Sequence, residues 1–218
     1  MSARSAWADR LQQLFFLLVI RPFLVLFIGL RVRGRENLPE KGPFLLVANH
    51  TSHLDTVSLL AVFPLGRLKE IRPVAAADYF ERNRVVSFLT RTLFNILPIV
   101  RRREEMTAEN DPRRAMIEAL KAGDSLLVFP EGTRSTTPEE MGRFRSGVAY
   151  LVENVSGLPV VPAYLENLGR SLPKGTWIPV PFFAKVSIGK PRILSGTAPE
   201  IVASLEAAVR ELKMESAG

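Results

Sequence analysis

The sequence contains no cysteine. Disulfides, thiolate-held zinc and thiol nucleophiles are therefore excluded. Histidine is nearly as scarce, with two in 218 residues, both in the stretch NHTSHLD, Asn49 to Asp55. HExxH is missing and there is no third histidine, so a zinc site would have to draw on His50, His53 and Asp55. The G-x-S-x-G elbow that exposes a nucleophilic serine is also missing. No internal repeat or low-complexity segment is visible.

What is present is apolar and basic. Apolar residues make up 47% and charged residues 23%, the balance of a globular chain rather than a disordered one. The length suits one domain, or one domain with an appendage. The net charge is +7 and the pI about 10.1, which favours an anionic partner: nucleic acid, an anionic membrane or a phosphorylated substrate. Residues 11–30 read LQQLFFLLVIRPFLVLFIGL. As one straight helix this would span roughly 30 Å, about one hydrocarbon core. Arg21-Pro22 falls in the middle, where an arginine is costly in lipid and a proline kinks or breaks a helix. The expectation is two short apolar helices dipping into one leaflet, with Arg21 reaching back to the headgroups. Arg4, Arg10, Arg31, Arg33 and Arg35 flank them and favour an anionic cytoplasmic surface. A buried pair of core helices is the competing reading. The expected division is a membrane-associating segment, 1–30, and a main domain, 31–218.

Strand and helix patterns alternate along the second part. RVRGREN and PFLLVAN read as strands joined across LPEKG, and Phe44 to Ala48 is an unbroken apolar run of the kind buried on both faces. Helices are expected from about His53 to Phe63, Asn83 to Phe94, Asp111 (as cap) to Gly123, Arg145 to Asn154, and Pro199 to Met214. IRPVAAA, ILPIV, DSLLVF, LPVVPAYL and FFAKVSIG read as strands, and 165–182 as a Pro- and Gly-rich loop. The fold class is α/β, a mostly parallel central sheet flanked by helices, with an N-terminal apolar helical anchor.

Sites in such sheets lie past the carboxyl ends of strands. Two polar clusters follow strong apolar strands directly: NHTSHLD after FLLVA, and PEGTRS after DSLLVF. On a regular helix His50 and Asp55 would be turned about 140° apart, so they meet only if His50 precedes the helix and folds over its first turn. Thr51 and Ser52 are natural caps there. Asp55 would then fix one imidazole nitrogen and leave the other as a general base. His53 lies two residues from Asp55 inside the helix and points away from it. A capping cluster, with Asp55 serving the helix dipole, is the structural alternative. In FPEGTRS, Gly132 lets the backbone approach a ligand, and the amides of Thr133 to Ser135 would face phosphate or an oxyanion. Arg134 would fork onto phosphate, with a Glu131–Arg134 surface pair as the alternative. Arg101, Arg102 and Arg103 leave the strand ILPIV together as a third cationic point.

Together these residues resemble the glycerolipid acyltransferases of the 1-acylglycerol-3-phosphate (lysophosphatidic acid) acyltransferase type. NHTSHLD is similar to that family's NHxSxxD block, and FPEGTRS to its FPEGTRS block. ILPIVRR and VVPAYLEN resemble its second and fourth blocks, and FRSGVAYLVE and VSIGKP further segments, over roughly residues 31 to 195. Val100 stands where the second block often has an acidic residue, which leaves Arg101 and Arg102 as alternatives. The resemblance implies acyl transfer from acyl-CoA or acyl-carrier protein, as co-substrate and with no further cofactor or metal, to a lysophospholipid hydroxyl. His50 would take the hydroxyl proton and Asp55 would orient His50. Arg101 would hold the acceptor's phosphate, and Glu131, Gly132 and Arg134 would shape the acceptor pocket or stabilise developing charge. It also implies an anionic membrane as partner, no nucleic acid, and a place on the cytoplasmic face of the inner or plasma membrane. A thioester or ester hydrolase using the same pair, a transferase with another lysolipid acceptor, and a purely charge-driven binding module are the rival readings.

Overall fold

The computed structural model describes residues 5–77, 84–100, 111–135, 137, 140–172, 176 and 178–217. The strands are β1 (Arg31–Arg33), β2 (Leu45–Ala48), β3 (Ile71–Ala76), β4 (Leu97–Ile99), β5 (Ser125–Val128), β6 (Pro159–Glu166), β7 (Lys185–Ile188) and β8 (Arg192–Ile193). They form one sheet in the order β1-β7-β6-β2-β5-β3-β4, with β8 also beside β6. Pairs β6–β2, β2–β5, β5–β3, β3–β4 and β1–β7 are parallel, whereas β7 and β8 run antiparallel to β6. The α/β class with a mostly parallel sheet is thus the observed one.

The helices are α1 (Ala6–Phe27), α2 (Leu54–Ala61), α3 (Arg84–Phe94), α4 (Pro112–Lys121), α5 (Gly147–Asn154), α6 (Leu168–Ser171) and α7 (Ala198–Ala217). Strand β2 shows why the sheet needs helices on both sides. Its Leu46 and Ala48 join a core with α1 and α2, and its Leu45 and Val47 join a second core with α4, α5 and α7. Alternate side chains of a strand point to opposite faces, so a strand covered on both reads as continuous apolar sequence. Helix α4 starts where expected, with the Asp111 side chain accepting from the Arg113 N–H and Pro112 at the first position.

Two expectations are corrected. The first concerns α1, which passes Arg21-Pro22 as one helix: Pro22 keeps helical angles (φ −58°, ψ −43°). Proline lacks an N–H and its ring crowds the carbonyl four residues back. Here wide turns on both sides absorb the misfit: the Arg21 N–H donates to the Phe16 carbonyl and the Ile28 N–H to the Phe23 carbonyl, each five residues back. Arg21 does not reach outward. Its Nη2 donates to the Phe63 carbonyl at the end of α2. One stripe, Ala8, Gln12, Phe16, Leu24 and Ile28, is buried, and Phe16, Leu24 and Ile28 share the core of β2, β6 and β7. Burying each of these three large side chains contributes about 2 kcal/mol. The remaining faces expose Leu14, Leu17, Leu18, Val25 and Leu26. Helix α1 is long and apolar enough to cross a membrane.

The second correction concerns RVRGREN, which is a strand only to Arg33. Gly34, at φ +72°, turns the chain into a single turn over Arg35–Asn37. A Cβ at Gly34 would stand 2.0 Å from the Ile188 carbonyl oxygen, so only glycine fits. Strand β1 therefore sits at the sheet edge beside β7, not next to β2.

Candidate active site

The site grows from the carboxyl end of β2. Strand pairing with β6 stops at Ala48–Ala163, and the Asn49 side chain continues it. Its Nδ2 donates to the Leu165 carbonyl at 2.9 Å, and its Oδ1 accepts from the Leu165 N–H at 2.7 Å. This buried amide mimics one more ladder step and fixes where the next residue, His50, leaves the sheet.

His50 is held from several sides. Its N–H donates to Glu131 Oε1 at 3.0 Å, and its carbonyl accepts from the Ser135 N–H at 2.8 Å. The ring stacks on Phe129, centroids 4.1 Å apart at 14°. Nδ1 lies 2.9 Å from Asp55 Oδ2. The two side chains meet as the sequence pattern requires, because His50 precedes α2 and Asp55 is in its first turn. Asp55 is fully buried, and Oδ2 also accepts from the Thr51 N–H at 2.6 Å and the Ser52 N–H at 2.8 Å. One oxygen of Asp55 thus caps the helix start and holds the His50 imidazole at the same time. Ser52 Oγ accepts from the Leu54 N–H at 3.2 Å and donates to the Leu172 carbonyl at 3.0 Å, tying the helix start to the end of α6.

This geometry dictates a tautomer. A carboxylate accepts, so Nδ1 carries the proton and Nε2 the lone pair. Nε2 has no partner among the described residues, and the ring is one-fifth exposed. A lone pair on an oriented imidazole is equipped to remove a proton from a hydroxyl or a water. His53 is held differently. Burial, then the charges of Arg134 and His50, push it down to about 4 against the pull of Asp55. It is a neutral neighbour at ordinary pH.

The second cluster closes over the first. Glu131 is buried, and its carboxylate accepts from the N–H groups of His50 and Gly142. Burial raises its pKa, and these two bonds oppose the rise. A Cβ on Gly142 would meet Glu131 Oε2 at 2.7 Å. Glu131 therefore acts on the site by positioning the backbone of His50. Gly132, at φ +72°, makes the turn that the sequence pattern calls for. Thr133 is exposed and Arg134 half-buried. The Ser135 amide, expected to face a ligand, is instead committed to the His50 carbonyl. Arg101, with Arg102 and Arg103, lies outside the described residues. The roles of Asn49 and Phe129 escaped the sequence reading. Asn49 acts through a strand distant in sequence, and Phe129 reads simply as an apolar strand end.

The domain is thus a mostly parallel α/β sheet with an oriented His50–Asp55 pair at the carboxyl end of β2. The acyltransferase family model matches residues 29–166, more than half of the chain, and the chain belongs to this family. It is 33% identical over 180 residues to a 1-acyl-sn-glycerol-3-phosphate acyltransferase of Pseudomonas aeruginosa, covering 82% of this chain and 65% of that protein. It is 33% identical over 179 residues to the lyso-ornithine lipid O-acyltransferase of Brucella abortus, covering 78% of this chain and 61% of that one. The chain thus spans less than two thirds of either relative. The crystal structure of the 1-acyl-sn-glycerophosphate (LPA) acyltransferase PlsC from Thermotoga maritima superposes with a TM-score of 0.74 at 26% identity, covering 96% of this chain and 80% of that one.

Proposed function

We propose that the chain transfers a fatty acyl group from acyl-CoA or acyl-carrier protein to a lysophospholipid hydroxyl, with 1-acylglycerol-3-phosphate as acceptor and phosphatidic acid as product. The observation that carries this reading is the 2.9 Å contact between His50 Nδ1 and Asp55 Oδ2, with Nε2 left unpartnered among the described residues. Nε2 takes the acceptor's hydroxyl proton as its oxygen attacks the thioester carbonyl. The C–O bond forms, the C–S bond breaks, and the imidazolium returns the proton to the departing thiolate. No enzyme nucleophile is needed, in keeping with a chain that has no cysteine.

The apolar face of α1 and the basic residues after it, Arg31, Arg33 and Arg35, suit a lipid substrate with an anionic head. On this reading the protein works at an anionic membrane surface, on the cytoplasmic side of the inner or plasma membrane. The Brucella relative's name favours a second acceptor, a lyso-ornithine lipid. The test is a screen of purified protein with acyl-CoA and acyl-carrier protein against both acceptors and against no acceptor, with products weighed by mass spectrometry. Acyl transfer to 1-acylglycerol-3-phosphate that disappears in His50→Ala is the expected result. Free fatty acid released at full rate without any acceptor would make the protein a hydrolase and end this reading.

A further inference from the structure

Residues 178–183 read IPVPFF, a stretch without a charged side chain. The fold holds its backbone from within. Pro179 and Pro181 carry no N–H to satisfy. The Val180 N–H donates to the Ser171 carbonyl at 2.8 Å. Ser171 Oγ donates to the Phe182 carbonyl at 2.9 Å, and Asn167 Nδ2 to the Phe183 carbonyl at 3.0 Å. The apolar side chains face outward instead: Ile178 is 80% exposed and Phe183 74%, with Val180 and Phe182 exposed beside them. One side of the Phe183 ring lies against Gly29, where a Cβ would stand 2.6 Å from it. This brings the patch to the end of α1, where Val25, Leu26 and Phe27 are exposed. Cations rim it. Arg170 Cζ lies 5.5 Å from the Phe182 ring centre, and Arg31 and Lys185 pair side by side on β1 and β7 just beyond.

Large apolar side chains grouped at the surface mark a contact with something apolar. Hydrocarbon penalises each backbone group left without a partner, and the two prolines and the bonds from Ser171 and Asn167 lower that penalty here. The cations at the rim match anionic headgroups, which lie just above the acyl chains. A second copy of the chain would instead bring one +7 body against another. We propose that residues 178–183 are a membrane wedge separate from α1, seating Ile178, Val180, Phe182 and Phe183 in the acyl-chain layer of an anionic leaflet. This rests on the membrane reading above. Ser52 Oγ donates to the Leu172 carbonyl at the end of α6, the helix whose Ser171 holds the wedge. The wedge is thereby tied to the turn that carries His50, and it plants the lipid surface beside that turn.

The cysteine-free chain makes the test direct. Ile178→Cys, and Lys121→Cys on α4 as an exposed control, are each labelled with an environment-sensitive fluorophore and mixed with vesicles of phosphatidylglycerol and phosphatidylcholine. The label at position 178 should shift to the blue, and nitroxide on lipid acyl chains should quench it more than nitroxide on headgroups. The label at position 121 should do neither. Unlabelled Ile178→Glu should keep the wild-type Tm and lower vesicle partitioning roughly 10-fold. Protein that sediments with vesicles while the label at 178 stays water-like would overturn the proposal and leave membrane binding to α1. Wild-type partitioning of Ile178→Glu would do the same. A blue shift without vesicles that grows with protein concentration would overturn it in favour of self-association. If the wild-type chain does not sediment with vesicles at all, the membrane reading falls and the wedge falls with it.

Discussion

Replacing Asp55 with asparagine isolates the charge of the His–Asp pair from its shape. Asp55 Oδ2 accepts three N–H groups, from His50, Thr51 and Ser52. An asparagine oxygen takes the same place, so the helix start keeps its acceptor and stability should fall by only about 1–2 kcal/mol. On the proposed mechanism, what is lost is the negative charge facing the imidazolium that would form as the acceptor gives up its proton. With charge centres about 4 Å apart and an effective dielectric near 20, that attraction is on the order of 4 kcal/mol, or about a thousandfold in kcat. The cysteine-free chain offers a clean assay, because a thiol reagent added during turnover reports only thiol released from the donor. Circular dichroism on the same samples gives the folded fraction and Tm. An Asp55→Asn protein that stays folded and keeps more than a tenth of wild-type kcat would refute the assignment. So would a loss of rate fully explained by unfolding.

Four further outcomes follow from named residues and the basic surface. Between pH 6.5 and about 4 the unfolded chain protonates His53 while the folded chain resists, so this group removes stability as pH falls through that window. Urea denaturation at pH 4.5 and 7 should show a smaller acid loss in His53→Gln than in wild type, and an equal loss would argue against a half-buried, neutral His53. Asn49→Ala strips both Leu165 backbone groups of their partner and should cost about 3 kcal/mol in urea unfolding, against near-neutrality if water replaces the amide. Leu26 is 84% exposed, so Leu26→Glu should leave Tm unchanged while cutting co-sedimentation with anionic vesicles. Wild-type co-sedimentation should also weaken from low to high salt. Vesicle binding indifferent to both would remove α1 as the membrane contact.

Much of this was legible in the amino-acid order, for physical reasons. An apolar run such as Phe44 to Ala48 is informative because both its faces are buried, and the clusters after β2 and β5 are informative because polar side chains there need a reason. The meeting of His50 and Asp55 followed from helix geometry once His50 was placed before α2. What stayed hidden depends on long-range partners. Nothing near Pro22 announces that wide turns will carry the helix past it. Strand β1 pairs with β7, Arg31 opposite Lys185, with most of the chain lying between them in sequence. The inward aim of Glu131 depends on Gly142 leaving room for its carboxylate, and the Ser135 amide was claimed by a carbonyl from another motif. Arg101 lies outside the described residues.

The continuity of α1 past Pro22, with Phe16, Leu24 and Ile28 locked into the sheet's own core, leaves no joint between that helix and the residues around His50. Seated in a bilayer as proposed, such a body has a draught like a hull: the altitude of the imidazole above the acyl chains is set when the protein folds. An acceptor has to rise to that fixed height before it can react. Lipid thickness then becomes a determinant of rate, even for substrates whose headgroups are identical.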